Sequence, residues 1–396
     1  MENKIGKLLL NIFIFILMFK RLLQIENIAN LTLIDQFIEQ LMTDSTPDLP
    51  FWNQRQKPWD YVDGVVMLGF LELYKSSKNP KYLDFSEKFE DYRVRDDGII
   101  LGYNRQDYNL DNVNCAKALI TVYEFTKIKK YRKAVARVYQ QLLDHPRTKE
   151  GNFWHKKVYT QQVWLDGLYM ALPFYMEYEV LFNNSENIND IYKQFSNVYE
   201  IMRDKKTGLY YHGYDSVKEQ KWANKETGLS KNFWLRSIGW LSMALLDTLE
   251  KASDKESENW NKLKDMFIEL CESMLKFQDE SGMWYQVVNY PNIKNNYLET
   301  SGSAMFSYSY LRGYRFGILK DQKFKDAGKK ALEGIYNKYL KIKKGKISLE
   351  GTCSVAGLSD NRDGSIEYYL SEAVVDNDAK GIGSFILAYN EYKLLQ

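Results

Sequence analysis

The chain has 396 residues, 45% of them hydrophobic and 27% charged, which is the composition of a soluble globular protein. Lys and Arg (54) nearly balance Asp and Glu (52) without a charge block, which excludes the basic surface of a nucleic-acid-binding protein. Aromatic residues are unusually numerous, with 30 Tyr, 20 Phe and 9 Trp. Several lie beside Gly or charged residues, as on surfaces that stack on sugar rings.

Cysteine and histidine are too few and too scattered for a metal centre. The three cysteines, Cys115, Cys271 and Cys353, are far apart and form no Cys-x-x-Cys motif. The three histidines show no His-Glu-x-x-His spacing. The sequence therefore predicts no disulfide scaffold, no metal site and no cofactor.

The N-terminus carries an apolar run, Leu8 to Phe19, preceded by Lys4 and Lys7 and followed by further basic residues. This run is too short to span a bilayer but long enough for the core of a signal peptide. No Ala-x-Ala cleavage signal is evident, so a weak anchor or a start codon read too early is equally open. We expect residues 1–27 to form an extension and residues 28–396 a single domain, with no stable membrane partner.

The rest of the chain reads as helices separated by short loops. Hydrophobic periodicity predicts twelve of them: Leu31 to Met42, Trp59 to Tyr74, Lys81 to Tyr92, Asn109 to Phe125, Lys130 to Leu143, Val163 to Leu181, Asn187 to Arg203, Trp234 to Leu249, Ser257 to Phe277, Thr300 to Gly317, Gln322 to Tyr339 and Gly381 to Leu395. Apolar helices rich in small residues alternate with amphipathic helices, and helices that are hydrophobic all round are buried. Six such pairs predict an all-α fold, an (α/α)6 toroid or six-hairpin barrel, with six inner helices ringed by six outer ones.

Polar and aromatic residues collect in the loops that precede the inner helices. In a toroid these loops share one rim, so residues distant in sequence converge on one cleft. Asp166 lies in such a segment, as the only acid in the apolar and aromatic stretch Gln161 to Phe174. Taken alone, it could be an Asp near a helix N-terminus, stabilised by the macrodipole and free amides. The repetition of similar chemistry in many separate loops favours a functional carboxyl.

Several of these segments resemble the unsaturated uronyl hydrolases, specifically the unsaturated rhamnogalacturonyl hydrolases of glycoside hydrolase family 105. The similar segments occur in the family's order: Phe153-Trp154-His155-Lys156, Trp164-Leu165-Asp166-Gly167-Leu168-Tyr169-Met170, Tyr210-Tyr211-His212-Gly213 and Leu298-Glu299-Thr300-Ser301-Gly302-Ser303-Ala304-Met305. The family commonly has Arg-Gly-Asn-Gly-Trp where this chain has Arg236-Ser237-Ile238-Gly239-Trp240. Arg236 and Trp240 match, but the small polar centre is replaced, which bears on the specificity of the sugar subsite.

The resemblance implies removal of a 4,5-unsaturated galacturonyl group, left by pectin lyases, from rhamnogalacturonan oligosaccharides. Protonation of the vinyl ether at C4 lets water add at C5, and one carboxyl can act as acid and then as base. Asp166 matches that carboxyl. Asp111 and His212 would position water or sugar hydroxyls, although Asp111 could instead cap a helix and His212 could bond to backbone.

The resemblance also implies a set of substrate-binding residues. Arg236 would bind the uronate carboxylate in bidentate fashion, or else form a structural ion pair. Lys156 is a second cationic candidate, and Trp164, Trp234 and Trp240 would stack on sugar faces, or else lie in the core.

Two other functions remain open from the sequence. One is a different enzyme on the same toroid, either an unsaturated glucuronyl hydrolase acting on glycosaminoglycan fragments or an ordinary inverting glycosidase. The other is a non-catalytic carbohydrate-binding or scaffold protein, since a fold alone does not fix a function. The expected partner is a small unsaturated oligosaccharide, cleaved in the cytoplasm after import; no oligomeric state is predicted.

Overall fold

The computed structural model describes residues 32–52 and 57–396. The predicted N-terminal extension, residues 1–27, lies outside the described residues, and the assignment of residues 28–396 to a single domain stays a prediction. Within the described ranges, no helix is both long enough and apolar enough to cross a membrane.

Six inner helical segments form a closed ring. In chain order they are α2 (Tyr61–Ser77), the pair α4 (Asp111–Asn114) and α5 (Ala116–Thr126), α7 (Leu165–Phe182), α9 (Leu235–Lys251), α11 (Thr300–Arg315) and α14 (Ala379–Leu394). Each packs against the next, and α14 returns to α2. Nearly every residue of α9, α11 and α14 is buried, as their apolar and small side chains require.

Outer helices cover this ring. They are α1 (32–43), α3 (Pro80–Arg93), α6 (Lys129–Leu143), α8 (Ile188–Met202), α10 (Glu258–Leu275) and α12 (Gln322–Tyr339). The last five pack on α2, α5, α7, α9 and α11 respectively, each burying one apolar face. An ion pair of 3.5 Å between Asp35 in α1 and Lys393 in α14 joins the two ends of the described chain. The predicted (α/α)6 toroid is confirmed.

The short elements depart from the prediction. The helix expected over 109–125 breaks at Cys115 into α4 and α5, and Val163 and Trp164 belong to a strand rather than to a helix. The described residues include three antiparallel ribbons, which pair β1 (Gln162–Trp164) with β2 (Gly213–Asp215), β3 (Leu340–Lys343) with β4 (Lys346–Leu349), and β5 (Thr352–Cys353) with β6 (Val374–Val375). A short helix, α13 (Ile366–Ser371), was also not predicted. Segments of two to six residues are too short for a hydrophobic period to show.

Candidate active site

A cavity of about 360 Å³ opens at the end of the toroid where inner helices begin. Its wall includes Tyr61 at the start of α2, Asp111 at the start of α4 and Asp166 in the first turn of α7. The loop between β5 and α13 forms another side of the cavity with Val355, Ala356, Gly357 and Arg362. Residues distant in the chain thus meet at one rim, as the repeat pattern predicts.

The β1–β2 ribbon sets Asp166 beside His212. Trp164 pairs with Gly213, and the backbone N–H of Leu165 donates to the carbonyl of His212 over 3.1 Å. Asp166 comes just after β1 and His212 just before β2, so the ribbon brings their side chains together. Nε2 of His212 lies 3.3 Å from Oδ2 of Asp166. The two atoms are not aligned as a hydrogen bond, and neither has a hydrogen-bond partner elsewhere among the described residues.

Asp166 does lie in the first turn of α7, as its structural reading requires, but the side-chain hydrogen bonds expected for a purely structural Asp166 or His212 are not found among the described contacts. Helix α7 begins after Trp164 without a side-chain cap, and Oδ2 of Asp166 accepts no backbone hydrogen bond. His212 is fully buried, and its Nδ1 bonds to the Tyr369 hydroxyl over 2.8 Å rather than to backbone. Asp166 is 14% exposed and has no Lys or Arg within ion-pair distance among the described residues.

Asp111 occupies a different electrostatic environment. Its carboxylate pairs with the ammonium of Lys156 and lies 3.6 Å from Nε2 of His155. Burial would raise the pKa of Asp111, but Lys156 and then His155 outweigh it, so the pKa is lowered. Burial also lowers the pKa of His155 to about 4. Asp111 is therefore a carboxylate at neutral pH, and the residue that caps the turn is Asn109, whose side chain accepts from the Asp111 N–H.

Trp164 is an aromatic part of the cavity wall that also holds Asp111 and Asp166. Its indole stacks on the rings of His155 and Tyr159, with centroids 4.7 and 4.6 Å apart. Gly167 permits this arrangement, because a Cβ there would lie 3.0 Å from Nδ1 of His155. The glycine that follows Asp166 thus allows close packing behind the cavity.

The remaining predicted binding residues do not line the cavity. Arg236 is 2% exposed; it donates to the Cys353 carbonyl and to Ser301 and lies 3.8 Å from Glu299. Trp240 stacks on Tyr169 in the core. Trp234 packs behind His212, with ring centroids 4.7 Å apart, and donates to Gln286. The structure brings Lys156 and Trp164 to the cavity, but not Arg236, Trp234 or Trp240.

Sequence reasoning missed other cavity residues. Trp59, Tyr159 and Arg362 line the wall, and Tyr369 supports His212 from behind. The rim loops that hold Trp59 and the Arg362–Tyr369 segment do stand out in the sequence by their mixed aromatic and polar character. No side chain in them could be given a role, because their direction depends on the fold. Among the described residues, no group of three or more His, Cys, Asp or Glu side chains could hold a metal ion.

The fold is a helical toroid, with carboxyls and aromatic rings around a cavity at its rim. The chain belongs to Glycosyl Hydrolase Family 88, which it matches over residues 33–396. It is 40% identical to a family 105 glycoside hydrolase from C. acetobutylicum ATCC 824, with a TM-score of 0.85, over 92% of this chain and 99% of that one. The resemblance to glycoside hydrolase family 105 is thereby confirmed, and the chain is a glycoside hydrolase of the unsaturated uronyl hydrolase type.

Two more distant proteins are also similar to this chain. The unsaturated rhamnogalacturonyl hydrolase YesR of Bacillus subtilis (strain 168) is 24% identical over 252 residues, which are 62% of this chain and 68% of YesR. The unsaturated glucuronyl hydrolase of Bacillus sp. GL1 shares the fold, with a TM-score of 0.61 and 14% identity over 84% of this chain and 86% of that one.

Proposed function

We propose that the protein removes the 4,5-unsaturated galacturonyl residue from lyase-generated rhamnogalacturonan oligosaccharides, with Asp166 as general acid and base. The observation that carries this proposal is the contrast between two of the carboxyls on the cavity wall, Asp111 and Asp166. Asp111 is held as an anion by Lys156, whereas Asp166 has no Lys or Arg partner in the described chain. Asp166 also lies beside Trp164 on the cavity wall, and no ion pair with Lys or Arg holds its carboxyl within the described ranges, so we assign the proton transfer to it.

The reaction needs only one such carboxyl. Asp166 gives its proton to C4 of the unsaturated ring, and positive charge develops at C5, next to the ring oxygen. The resulting carboxylate then takes a proton from water as that water bonds to C5. The hemiketal opens to a ketone at C5, leaving a hemiacetal at C1 that releases the neighbouring sugar as its alcohol.

The remaining cavity residues fit binding and orientation. Asp111, as an anion, can accept hydrogen bonds from sugar hydroxyls or from the attacking water. Trp164 and the partly exposed Tyr159 form the aromatic part of the cavity wall, against which a sugar ring can pack. The cavity volume lies within the range of small-molecule sites, which supports a short substrate rather than a polymer. We place this reaction in the cytoplasm, on imported disaccharides, which cell fractionation can test.

The test is an absorbance assay on a substrate panel. The enzyme is incubated with lyase-made unsaturated rhamnogalacturonan, galacturonan and chondroitin disaccharides, and loss of the double bond's ultraviolet absorbance is followed. We expect the fastest loss on the rhamnogalacturonan disaccharide. Preference for the chondroitin disaccharide would favour a glucuronyl hydrolase, and no loss on any of the three would refute the proposal.

A solvent-isotope experiment tests the chemistry separately. In D2O, protonation by an enzyme carboxyl places deuterium on one face of C4, which NMR of the early keto product can read. An inverting glycosidase would instead release a sugar that opens to an enol, and ketonisation of that enol in solvent would place deuterium on both faces of C4.

A further inference from the structure

Tyr369 contacts the proposed acid only through a histidine. It lies in α13 and is fully buried, with its ring stacked near Trp234 at a centroid distance of 6.0 Å. Its hydroxyl lies 2.8 Å from Nδ1 of His212. On the other side of the same imidazole, Nε2 faces Oδ2 of Asp166 at 3.3 Å. Tyr369, His212 and Asp166 thus form a line that ends at the cavity.

The direction of the Tyr369–His212 hydrogen bond follows from what each group can do. Burial raises the pKa of Tyr369 well above its usual value, so the phenol keeps its proton. Among the described residues, Nδ1 of His212 is the one hydrogen-bond partner of that hydroxyl. If Nδ1 also carried a proton, the phenol hydrogen would be buried without an acceptor, which is costly. The phenol therefore donates, and Nδ1 accepts.

The other ring nitrogen leads to the same tautomer. Oδ2 of Asp166 is buried and has no hydrogen-bond donor elsewhere in the described chain. An unprotonated Nε2 would direct its lone pair at that oxygen, whereas an Nε2–H can donate to it after a small adjustment. Both sides of the imidazole favour a proton on Nε2.

We infer that Tyr369 is a positioning residue that fixes His212 as the Nε2–H tautomer and thereby places the acidic proton of Asp166 on Oδ1. Because Nε2–H donates to Oδ2 after that small adjustment, Oδ2 acts as an acceptor in both charge states of the carboxyl. Oδ2 is buried, so Oδ1 is the oxygen left to face the cavity. Transfer of the Oδ1 proton to carbon leaves Nε2–H in place to stabilise the new carboxylate, and the proton taken from water returns to Oδ1. This inference rests on the proposed role of Asp166.

The tautomer can be measured without substrate. The chain has only three histidines, so an enzyme labelled with 15N-histidine gives few ring signals, and the variants His145→Gln and His155→Gln leave those of His212 identified. We expect an unprotonated Nδ1 and a protonated Nε2 for His212 in long-range 1H–15N spectra, and a mixture of tautomers in Tyr369→Phe. A wild-type His212 protonated on Nδ1 would overturn the inference. This readout stands whatever substrate the enzyme takes, so its failure is distinct from failure of the proposed function.

Activity gives the second readout. The Tyr369→Phe change removes one oxygen and keeps the ring, and we expect kcat to fall about tenfold, the factor implied by one hydrogen bond of typical net strength. KM should change little, and the pH profile of kcat/KM should shift, because the carboxyl loses a fixed donor. The matched control is Tyr310→Phe, a fully buried tyrosine whose hydroxyl donates to the Cys271 carbonyl over 3.0 Å. A Tyr369→Phe enzyme with the kcat and pH profile of the control would contradict the inference.

Discussion

The side-chain nitrogen of Lys117 donates a hydrogen bond to the backbone carbonyl of Tyr169, 2.6 Å away in the neighbouring inner helix. The Tyr169 carbonyl has no hydrogen-bond donor within its own helix, because the residue four positions later is Pro173 and proline has no backbone N–H. Burial lowers the pKa of Lys117 to about 7, and its ammonium also lies 3.3 Å from the centre of the Tyr169 ring. A side chain from α5 thus completes the hydrogen bonding of the helix that carries Asp166.

This relationship predicts a coupling between positions 117 and 173. Lys117→Met should lower the free energy of unfolding by about 1–3 kcal/mol, because it leaves the Tyr169 carbonyl buried and unsatisfied. In a Pro173→Ala background the same change should cost less, since the backbone amide gained at position 173 can donate to that carbonyl. Urea denaturation of the wild type, both single variants and the double variant measures the difference.

The double-variant cycle also controls for the other surroundings of Lys117. Its interaction with the buried Asp247 is lost in both backgrounds and cancels. Additive effects, within about 0.3–0.5 kcal/mol, would show that Lys117 and Pro173 are independent.

Replacement of Asp166 should abolish turnover without unfolding the protein. We expect Asp166→Asn to lower kcat by about 10²-fold or more, since the amide cannot donate a proton to carbon. The urea midpoint should stay near that of the wild type, because the carboxyl makes no ion pair with Lys or Arg in the described chain.

The matched control is Asp107→Asn, which changes another carboxyl on the same cavity wall. Asp107 is exposed and accepts from Asn104, so its replacement should leave kcat nearly unchanged. Comparable kcat values for the two variants would remove Asp166 from the role of acid.

Arg362 lines the cavity, in contrast to the enclosed Arg236. Its side chain is 42% exposed, and its nearest carboxylate, Glu372, lies 3.9 Å away, so the guanidinium can bind a substrate carboxylate. We expect Arg362→Gln to raise KM for the unsaturated uronate about tenfold or more, the effect of losing one charged hydrogen bond.

The methyl ester of the same substrate separates charge recognition from general damage. If Arg362 binds the carboxylate, the variant should lose much less on the ester than on the acid, whereas equal losses would show that the residue acts in another way. Arg95→Gln, at an exposed arginine paired with Asp97, is the control for loss of surface charge.

The buried histidines predict how stability depends on pH. Burial lowers the pKa of His145 and of His155 from 6.5 to about 4. Between these values the unfolded chain binds more protons than the folded one, so stability falls as the pH is lowered through this window. Each histidine contributes a slope of about 1.4 kcal/mol per pH unit at most.

His145→Gln isolates one of these contributions. Urea denaturation of the wild type and the variant at pH 7 and pH 5.5 should show a smaller loss of stability on acidification in the variant. The difference between the two proteins is the useful quantity, because burial raises the pKa of Glu90 to about 8, which opposes the histidines in the total slope. Identical slopes would mean that His145 is charged or exposed in the folded state.

The sequence predicts the helices well because each repeats a hydrophobic period over three turns or more. The meeting of Asp166 and His212 has no such signature, since it depends on a ribbon of three residue pairs. The enclosure of Arg236 was equally hidden, because its acceptor on Cys353 belongs to a strand of two residues near the C-terminus. Family resemblance named candidate residues, some of which line the cavity and some of which do not, and their partners required the fold.

The site depends on the β1–β2 ribbon, whereas the fold depends on the helices. The toroid is held by the packing of its helices, but the proximity of Asp166 to His212 rests on one strand pair of three residue pairs. A slip of one residue in that register would turn the side chains to the opposite face. Such a short element is expected to open at a lower free energy than the helical core. On heating, the enzyme should therefore lose catalytic activity at a temperature where its circular dichroism still shows intact helices.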